Sequence, residues 1–152
     1  MSSPPAESSA DGCAILSGAL PASLAHEDDQ VIAFMDLRQA VPGHVLVVPR
    51  QRVDTLLDLD EDTAVQLMRV AVRIARATEY AFAPDGLNLW QSNREAGGQE
   101  VPHVHLHVQP RRIGDGLLRI YPAAPPVPAP RDALDALATA LRAALAKSQA
   151  KP

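Results

Sequence analysis

Three of the chain's five histidines stand in the short segment 98–111, GQEVPHVHLHVQPR, each separated from the next by one apolar residue. Imidazoles titrate near neutral pH, so such a group can supply a nucleophile, a proton donor and an orienting partner together. In a β-strand, His103, His105 and His107 would all project to one face, with about 6 to 7 Å between neighbours. That spacing spans a phosphoryl group and its substituents, so phosphoryl chemistry is the first expectation.

Zinc binding is a rival interpretation of the same three imidazoles. Histidines at alternate strand positions can bind zinc when a carboxylate or a further imidazole completes the ligand set. Glu100 is near enough in sequence to be that ligand if its loop folds back. Alternatively, the three histidines could be a polar stripe that faces solvent and has no function. Their alternation with the apolar Val104 and Leu106 argues against this interpretation.

Two neighbouring features fit an anionic substrate. His44 follows a Pro-Gly turn at the start of a predicted strand, from which it could reach the other histidines across a sheet. The loop EAGGQE, 95–100, comes directly before the histidines, and its glycines would let backbone N–H groups approach an anion. Neither feature is specific by itself.

The elements that must position these residues follow from apolar periodicity. Two strands are predicted within 24–37, one on each side of an acidic turn, and three more at 43–49, 86–93 and 102–108. A central helix is predicted at 63–83, after the acidic stretch 58–62, and a C-terminal helix at 131–151. Strands interrupted by one central helix indicate an α+β domain with an antiparallel sheet. The leucine stripe of the C-terminal helix favours packing on its own domain.

The length, net charge and cysteine content of the whole chain limit the classes of protein to which it can belong. Its 152 residues fit one domain, and a net charge of -4 argues against a surface for nucleic acid. With Cys13 as the single cysteine, no intramolecular disulfide is possible, which suits the cytoplasm. No apolar run is long enough for a membrane span, and 1–11 is predicted to be a disordered leader.

Segment 98–111 resembles the signature of the histidine-triad (HIT) superfamily, His-apolar-His-apolar-His followed by Pro-Arg. The resemblance extends upstream through the Phe-x-Asp and Pro-Gly-His strands. It implies a HIT-like fold over 12–120, with a proline-rich connector and helix at 121–152. In that fold a five-stranded antiparallel sheet joins a second copy edge to edge, giving a homodimer with a ten-stranded sheet.

The resemblance also implies a reaction. His105 would attack the α-phosphate of a purine nucleotide phosphoramidate, a dinucleoside polyphosphate or a similar ester, and water would hydrolyse the nucleotidyl-histidine. The chain would thus be a nucleotide hydrolase or nucleotidyl transferase that needs no cofactor. His107 would contact phosphate and the leaving group, His103 would orient the nucleophile, and His44 would support His103.

Nucleotide-binding residues carry over from the same resemblance. Asp36 matches the acid that binds the ribose hydroxyls, and Phe34 and Leu37 match residues that line the base pocket; a turn acid and core packing are the alternatives. The remaining nucleotide-binding predictions, near the phosphate, are Asn93, Gln99, Glu100 and Val101.

Some positions depart from the family pattern. Gln109 replaces an apolar residue, so the last strand is expected to end early or turn outward there. Two or more ligands of the structural zinc found in many bacterial members are missing, so no metal is expected, and His26 is expected at the surface or pocket rim. The second functional hypothesis is a nucleotide-binding regulatory module with vestigial catalysis.

Overall fold

A computed structural model of the chain describes Ala14, Ala19 and residues 21–118, 120–121 and 123–148. The chain divides into two compact units, Met1–Asp115 and Gly116–Pro152. The leader predicted at 1–11 lies outside the described residues.

The first unit is built on one sheet. Its strands are β1 (Leu24–Glu27), β2 (Val31–Met35), β3 (Val45–Pro49), β4 (Gly86–Trp90) and β5 (Leu106–Arg111). They lie in the order β1-β2-β3-β5-β4, and every neighbouring pair is antiparallel. The predicted α+β class with a five-stranded antiparallel sheet is therefore confirmed.

One helix, α1 (Glu61–Phe82), covers one face of this sheet. It begins at Glu61, within the predicted acidic stretch and two residues before the predicted start, because Asp60 is the N-cap and its carboxylate accepts a 2.8 Å hydrogen bond from the Thr63 backbone N–H. Ala83 ends it in a left-handed conformation. Its buried residues pack on β2, β3 and β5, and the shared core contains Leu67, Val70, Ala71 and Ile74 with Val31, Ala33, Val45, Val47, Val104, Leu106 and Val108.

The other face of the sheet carries His107. Because successive strand residues point to opposite faces, His107 projects away from α1 while its neighbours Leu106 and Val108 enter the core. Leu46, the cross-strand partner of His107, packs there against a smaller buried cluster of Ile32, Phe34 and Val48. The predicted alternation thus holds at His107, where it separates a core face from an open face, but it does not hold at His103, which is buried before the strand begins.

The histidine strand differs from the predicted 102–108. β5 begins only at Leu106, because Pro49 on the facing strand has no N–H to donate and the Val104 N–H bonds instead to the Val53 carbonyl at 2.7 Å. At its other end β5 continues to Arg111, so the expectation that Gln109 ends the strand early is wrong. Gln109 is 3% exposed, and its amide donates to the Pro110 carbonyl at 2.8 Å.

The second unit contains α2 (Arg131–Ser148), where the predicted C-terminal helix lies. Leu134, Leu137, Leu141 and Leu145 recur along it at three- and four-residue steps. Among the described helices of both units, none is long and apolar enough to cross a membrane.

Candidate active site

His105 is held in one orientation by the backbone just before it. Its Nδ1 lies 2.7 Å from the carbonyl oxygen of His103. A carbonyl can only accept, so Nδ1 carries the proton and Nε2 of the neutral ring keeps its lone pair. The ring is partly exposed, and Nε2 is therefore a nitrogen that can act as a nucleophile.

His107 is paired with His44, which the sequence placed against a different histidine. Nε2 of His44 lies 2.9 Å from Nδ1 of His107, so the expectation that His44 supports His103 is wrong. The reason is register. His44 directly precedes β3, whose Val45 and Leu46 pair with Val108 and His107, and this alignment brings His44 to the last histidine of the triad.

The loop before His44 fixes that side chain. Gln39 accepts hydrogen bonds from the backbone N–H groups of Gly43 and His44 through its Oε1, at 2.9 and 3.1 Å. Its Nε2 donates to the carbonyls of Asp36 and His44, at 2.6 and 2.8 Å. Gly43 has a φ of 104°, and a Cβ there would lie 2.6 Å from the Phe82 ring, so this turn requires glycine.

Asp36 serves both the turn and His44. Its Oδ1 accepts the Arg38 N–H at 2.6 Å, which is the turn role considered as its alternative to ribose binding. Its Oδ2 lies 3.9 Å from His44 Nδ1. Since Nδ1 faces acceptors, it carries the proton in a neutral His44, and Nε2 then accepts the proton of His107 Nδ1.

Burial keeps this pair neutral. It lowers the pKa of His107 to about 3, and the nearby His105 and His44 act in the same direction. Burial also lowers the pKa of His44, against the opposing effect of Asp36. At neutral pH both rings are therefore uncharged, and Nε2 of His107 has a lone pair available for a proton.

His103 is a buried anchor and does not share the open face. Only 2% of it is exposed, and its Nε2 donates to the Pro49 carbonyl at 2.8 Å. Burial lowers its pKa. Within the described part of the chain its Nδ1 has no hydrogen-bond partner. The orienting role that was predicted for the His103 side chain is performed by the His103 backbone carbonyl, which holds the His105 ring.

The loop before the triad presents two backbone donors, at the predicted nucleotide-binding residues Glu100 and Val101. The N–H groups of Gly97, Gly98 and Gln99 bond to carbonyls within the turn, so the glycines do not offer theirs to an anion. Among the residues that the structure describes, no acceptor pairs with the backbone N–H of Glu100 or Val101. Those two amides are the donors nearest in sequence to His103 that no described residue accepts from.

The polar side chains predicted near the phosphate are occupied by protein groups. Gln99 Nε2 donates to the carbonyls of Asp54 and Val101, and its Oε1 accepts the Arg94 N–H. Asn93 Oδ1 accepts the Leu56 N–H at 2.7 Å, and its Nδ2 donates to Gln91. Both residues shape the loop through these bonds.

The remaining predicted residues lie in varied surroundings. Phe34 is 3% exposed within the smaller core cluster, whereas Leu37 is 79% exposed, so the structure does not bring them together as one apolar wall. The Glu100 side chain is exposed and faces Arg38 at 3.7 Å. His26 is partly buried and bonds the Asp28 carboxylate at 3.0 Å.

Two further residues of the site escaped the sequence analysis. Trp90 stacks on His107 with ring centroids 4.1 Å apart and an interplanar angle of 4°. Gln39 organises the turn before His44. A tryptophan within a predicted strand is typical of the core, and a glutamine in a loop gives no signal. The strand register reveals Trp90, and the hydrogen bonds of the turn reveal Gln39.

Metal binding by this site depends on whether its nitrogen and oxygen atoms converge on one point. Among the described residues the three triad imidazoles do not group together as metal ligands, and His103 and His105 each donate from one nitrogen to a backbone carbonyl. Asp36, His44 and His107 do offer ligand-type atoms within 4.8 Å of one another. However, His44 faces Asp36 and His107 through opposite ring nitrogens, which favours a hydrogen-bonded chain over ligation of a single ion.

Known proteins resemble this chain both in sequence and in fold. A model of the HIT domain matches residues 17–114. Protein hit of Bacillus subtilis (strain 168) is 38% identical over 105 residues, 68% of this chain and 72% of the relative. A purine nucleoside phosphoramidase of Escherichia coli (strain K12) is 33% identical over 92 residues, 59% and 76% of the two chains. A crystal structure of a HIT family member from Bacillus subtilis superimposes with a TM-score of 0.77 at 29% identity, covering 86% of this chain and 93% of that one.

Proposed function

This chain belongs to the HIT domain family, and we propose that it is a hydrolase or nucleotidyl transferase acting at the α-phosphate of purine nucleotides. Phosphoramidates and dinucleoside polyphosphates are the substrate classes. The purine nucleoside phosphoramidase among its relatives supports the first of these.

The observation that carries the proposal is the hydrogen bond from His105 Nδ1 to the His103 carbonyl. It fixes the tautomer whose Nε2 lone pair attacks phosphorus, without the need to remove a proton first. A bond forms between Nε2 and the α-phosphorus as the bond from phosphorus to the leaving nitrogen or oxygen breaks. The product is a nucleotidyl-histidine.

His107 and His44 handle the proton in this proposal. The bound anionic nucleotide favours a proton on His107 Nε2, and Asp36 beside His44 offsets the charge of the protonated pair. His107 gives this proton to the departing atom. In the second step a water oxygen bonds to phosphorus, the bond to His105 breaks, and a water proton returns to His107.

The remaining groups bind the nucleotide. The free N–H groups of Glu100 and Val101 are suited to the charged phosphate oxygens, since backbone donors already in place need no reorganisation. Asp36 Oδ2 is the acceptor proposed for a ribose hydroxyl. Phe34 lies two residues before Asp36 and Leu37 directly after it, and Leu37 has the exposed apolar surface suited to a base.

Turnover of adenosine phosphoramidate and diadenosine tetraphosphate tests the proposal. The wild type should release AMP from one or both, and His105→Asn should not. His26→Asn is the matched control, because among the described residues the His26 side chain bonds only to Asp28, in the β1–β2 turn. Nucleotide binding without turnover in the wild type would instead support the regulatory module.

We also propose a homodimer joined through β4. β4 is an outer strand of the sheet, so among the described strands one of its edges has no partner and could pair with a second copy. The exposed apolar side chains of Val65, Met68 and Val72 form a stripe on α1 that a second copy would cover. Light scattering during size-exclusion chromatography should give the dimer mass, and Leu89→Pro within β4 should give the monomer.

A further inference from the structure

Trp90 is the only tryptophan of the chain and lies directly opposite His107 in the sheet. Cross-strand aromatic pairs commonly stabilise sheets, so an ordinary packing role must be weighed first. Here the partner ring belongs to the candidate active site, and the two planes are parallel within 4°. Trp90 also lies 5.6 Å from the His44 ring.

Each neighbour of His107 constrains a different degree of freedom. The hydrogen bond to His44 fixes the position of Nδ1, but it leaves the ring free to tilt about that bond. The indole covers one face of the imidazole and removes this tilt. The His105 ring meets His107 edge-on at 4.8 Å with an interplanar angle of 61°. Together they fix the direction of Nε2.

We propose that Trp90 is a positioning residue, which holds the His107 ring in the plane from which Nε2 passes a proton to the leaving group. The inference rests on the proposed function. It deepens that function because it assigns an aromatic ring of β4 to the proton transfer from His107 to the leaving group, which depends strongly on geometry. The groups that face His107 in this step are His44, His105 and, behind His44, Asp36.

The chemistry of the leaving group separates positioning from simple packing. An amine leaving from a phosphoramidate must take up a proton, whereas the nitrophenolate leaving from the p-nitrophenyl ester of AMP needs none. A residue that only stabilises the fold should affect the two substrates equally. A residue that positions the proton donor should matter mainly for the amine.

The experiment compares Trp90→Leu and Trp90→Phe on both substrates. Trp90→Leu should lower kcat for adenosine phosphoramidate by about tenfold or more and change kcat for the nitrophenyl ester by less than about threefold, with similar KM values. Trp90→Phe, which keeps a ring against His107, should retain most activity on both. Tyr80→Leu removes an exposed aromatic ring of α1 and is the matched control.

Several results would overturn this inference alone. The first is a kcat of Trp90→Leu on the phosphoramidate that equals the wild-type value. The second is an equal loss of kcat on both substrates in that variant, and the third is an equal loss of kcat in Trp90→Phe and Trp90→Leu. Absence of turnover by the wild type on every substrate would overturn the proposed function and this inference with it. Activity of Trp90→Leu on the nitrophenyl ester shows that its loss on the phosphoramidate does not reflect misfolding.

Discussion

The imidazoles of His44 and His107 are joined by a 2.9 Å hydrogen bond between Nε2 and Nδ1. Together with Asp36, 3.9 Å from the far nitrogen of His44, they form a chain that ends at the surface of the candidate active site. Such a chain can take up and release one proton while the charge is shared over two rings and a carboxylate. The arrangement links a residue before β3 to one within β5.

Removing His44 should impair the proton step. In His44→Phe the ring size is kept, but Nδ1 of His107 loses its partner, so neither the tautomer nor the ring orientation is fixed. We expect kcat for adenosine phosphoramidate to fall roughly tenfold to a hundredfold, with a smaller change for the p-nitrophenyl ester of AMP. Steady-state kinetics of both substrates measure this. Unchanged kcat on the phosphoramidate would contradict the chain.

Stability should fall as the pH is lowered through the range of the buried histidines. The pKa of His107 is about 3 in the folded chain, and the unfolded value is about 6.5. Between these values the unfolded state binds a proton that the folded state does not, so the stabilisation present above about pH 6.5 is lost progressively as the pH falls towards 3. The lowered pKa values of His44 and His103 act in the same direction.

Urea unfolding at about pH 7.5 and about pH 5 measures that effect. Over this range Asp28 does not interfere, because its hydrogen bond to His26 lowers the pKa of its carboxyl below 3.8 and its contribution is lost only at lower pH. The midpoint should be lower at pH 5, and the difference should shrink in His107→Gln. A wild-type midpoint that is equal or higher at pH 5 would show that these histidines are not buried neutral.

Gly43→Ala should destabilise the turn that positions His44. The substitution places a Cβ 2.6 Å from the Phe82 ring at a φ of 104°, so it suffers both a clash and backbone strain. We expect a loss of about 1 to 3 kcal/mol in the free energy of unfolding. Gly97→Ala is the matched control, since a Cβ there meets no atom within 4 Å and its φ is not positive. Equal losses in the two variants would refute the explanation.

Turnover should not depend on a metal. His44 meets Asp36 and His107 through opposite nitrogens, so protonation of the ring and hydrogen bonding satisfy the set without an ion. Dialysis against a chelator should therefore leave AMP release unchanged. Loss of activity that zinc restores would instead indicate that Asp36, His44 and His107 bind the ion.

The sequence predicts the fold better than it predicts the contacts of the site. Apolar periodicity located the strands and α1, and the alternation around His107 predicted which face would be buried. The predicted partner of His44 was wrong because cross-strand register depends on where strands begin. Pro49 ends the pairing of β3 with β5 at Leu106, whereas the sequence predicted a strand that began at Pro102. The stack between Trp90 and His107 depends on the same register, and no local pattern at either residue indicates it.

The central claim is that His105 forms a covalent bond to the α-phosphorus, and intact-protein mass spectrometry after rapid mixing tests it most directly. Wild type mixed with adenosine phosphoramidate and quenched within the first turnovers should gain the mass of one adenylyl group, and peptide mapping should place it on His105. His105→Asn should gain no mass, while His26→Asn should behave as the wild type does. Rapid AMP release without any adduct in wild type, or an adduct that persists in His105→Asn, would contradict the account.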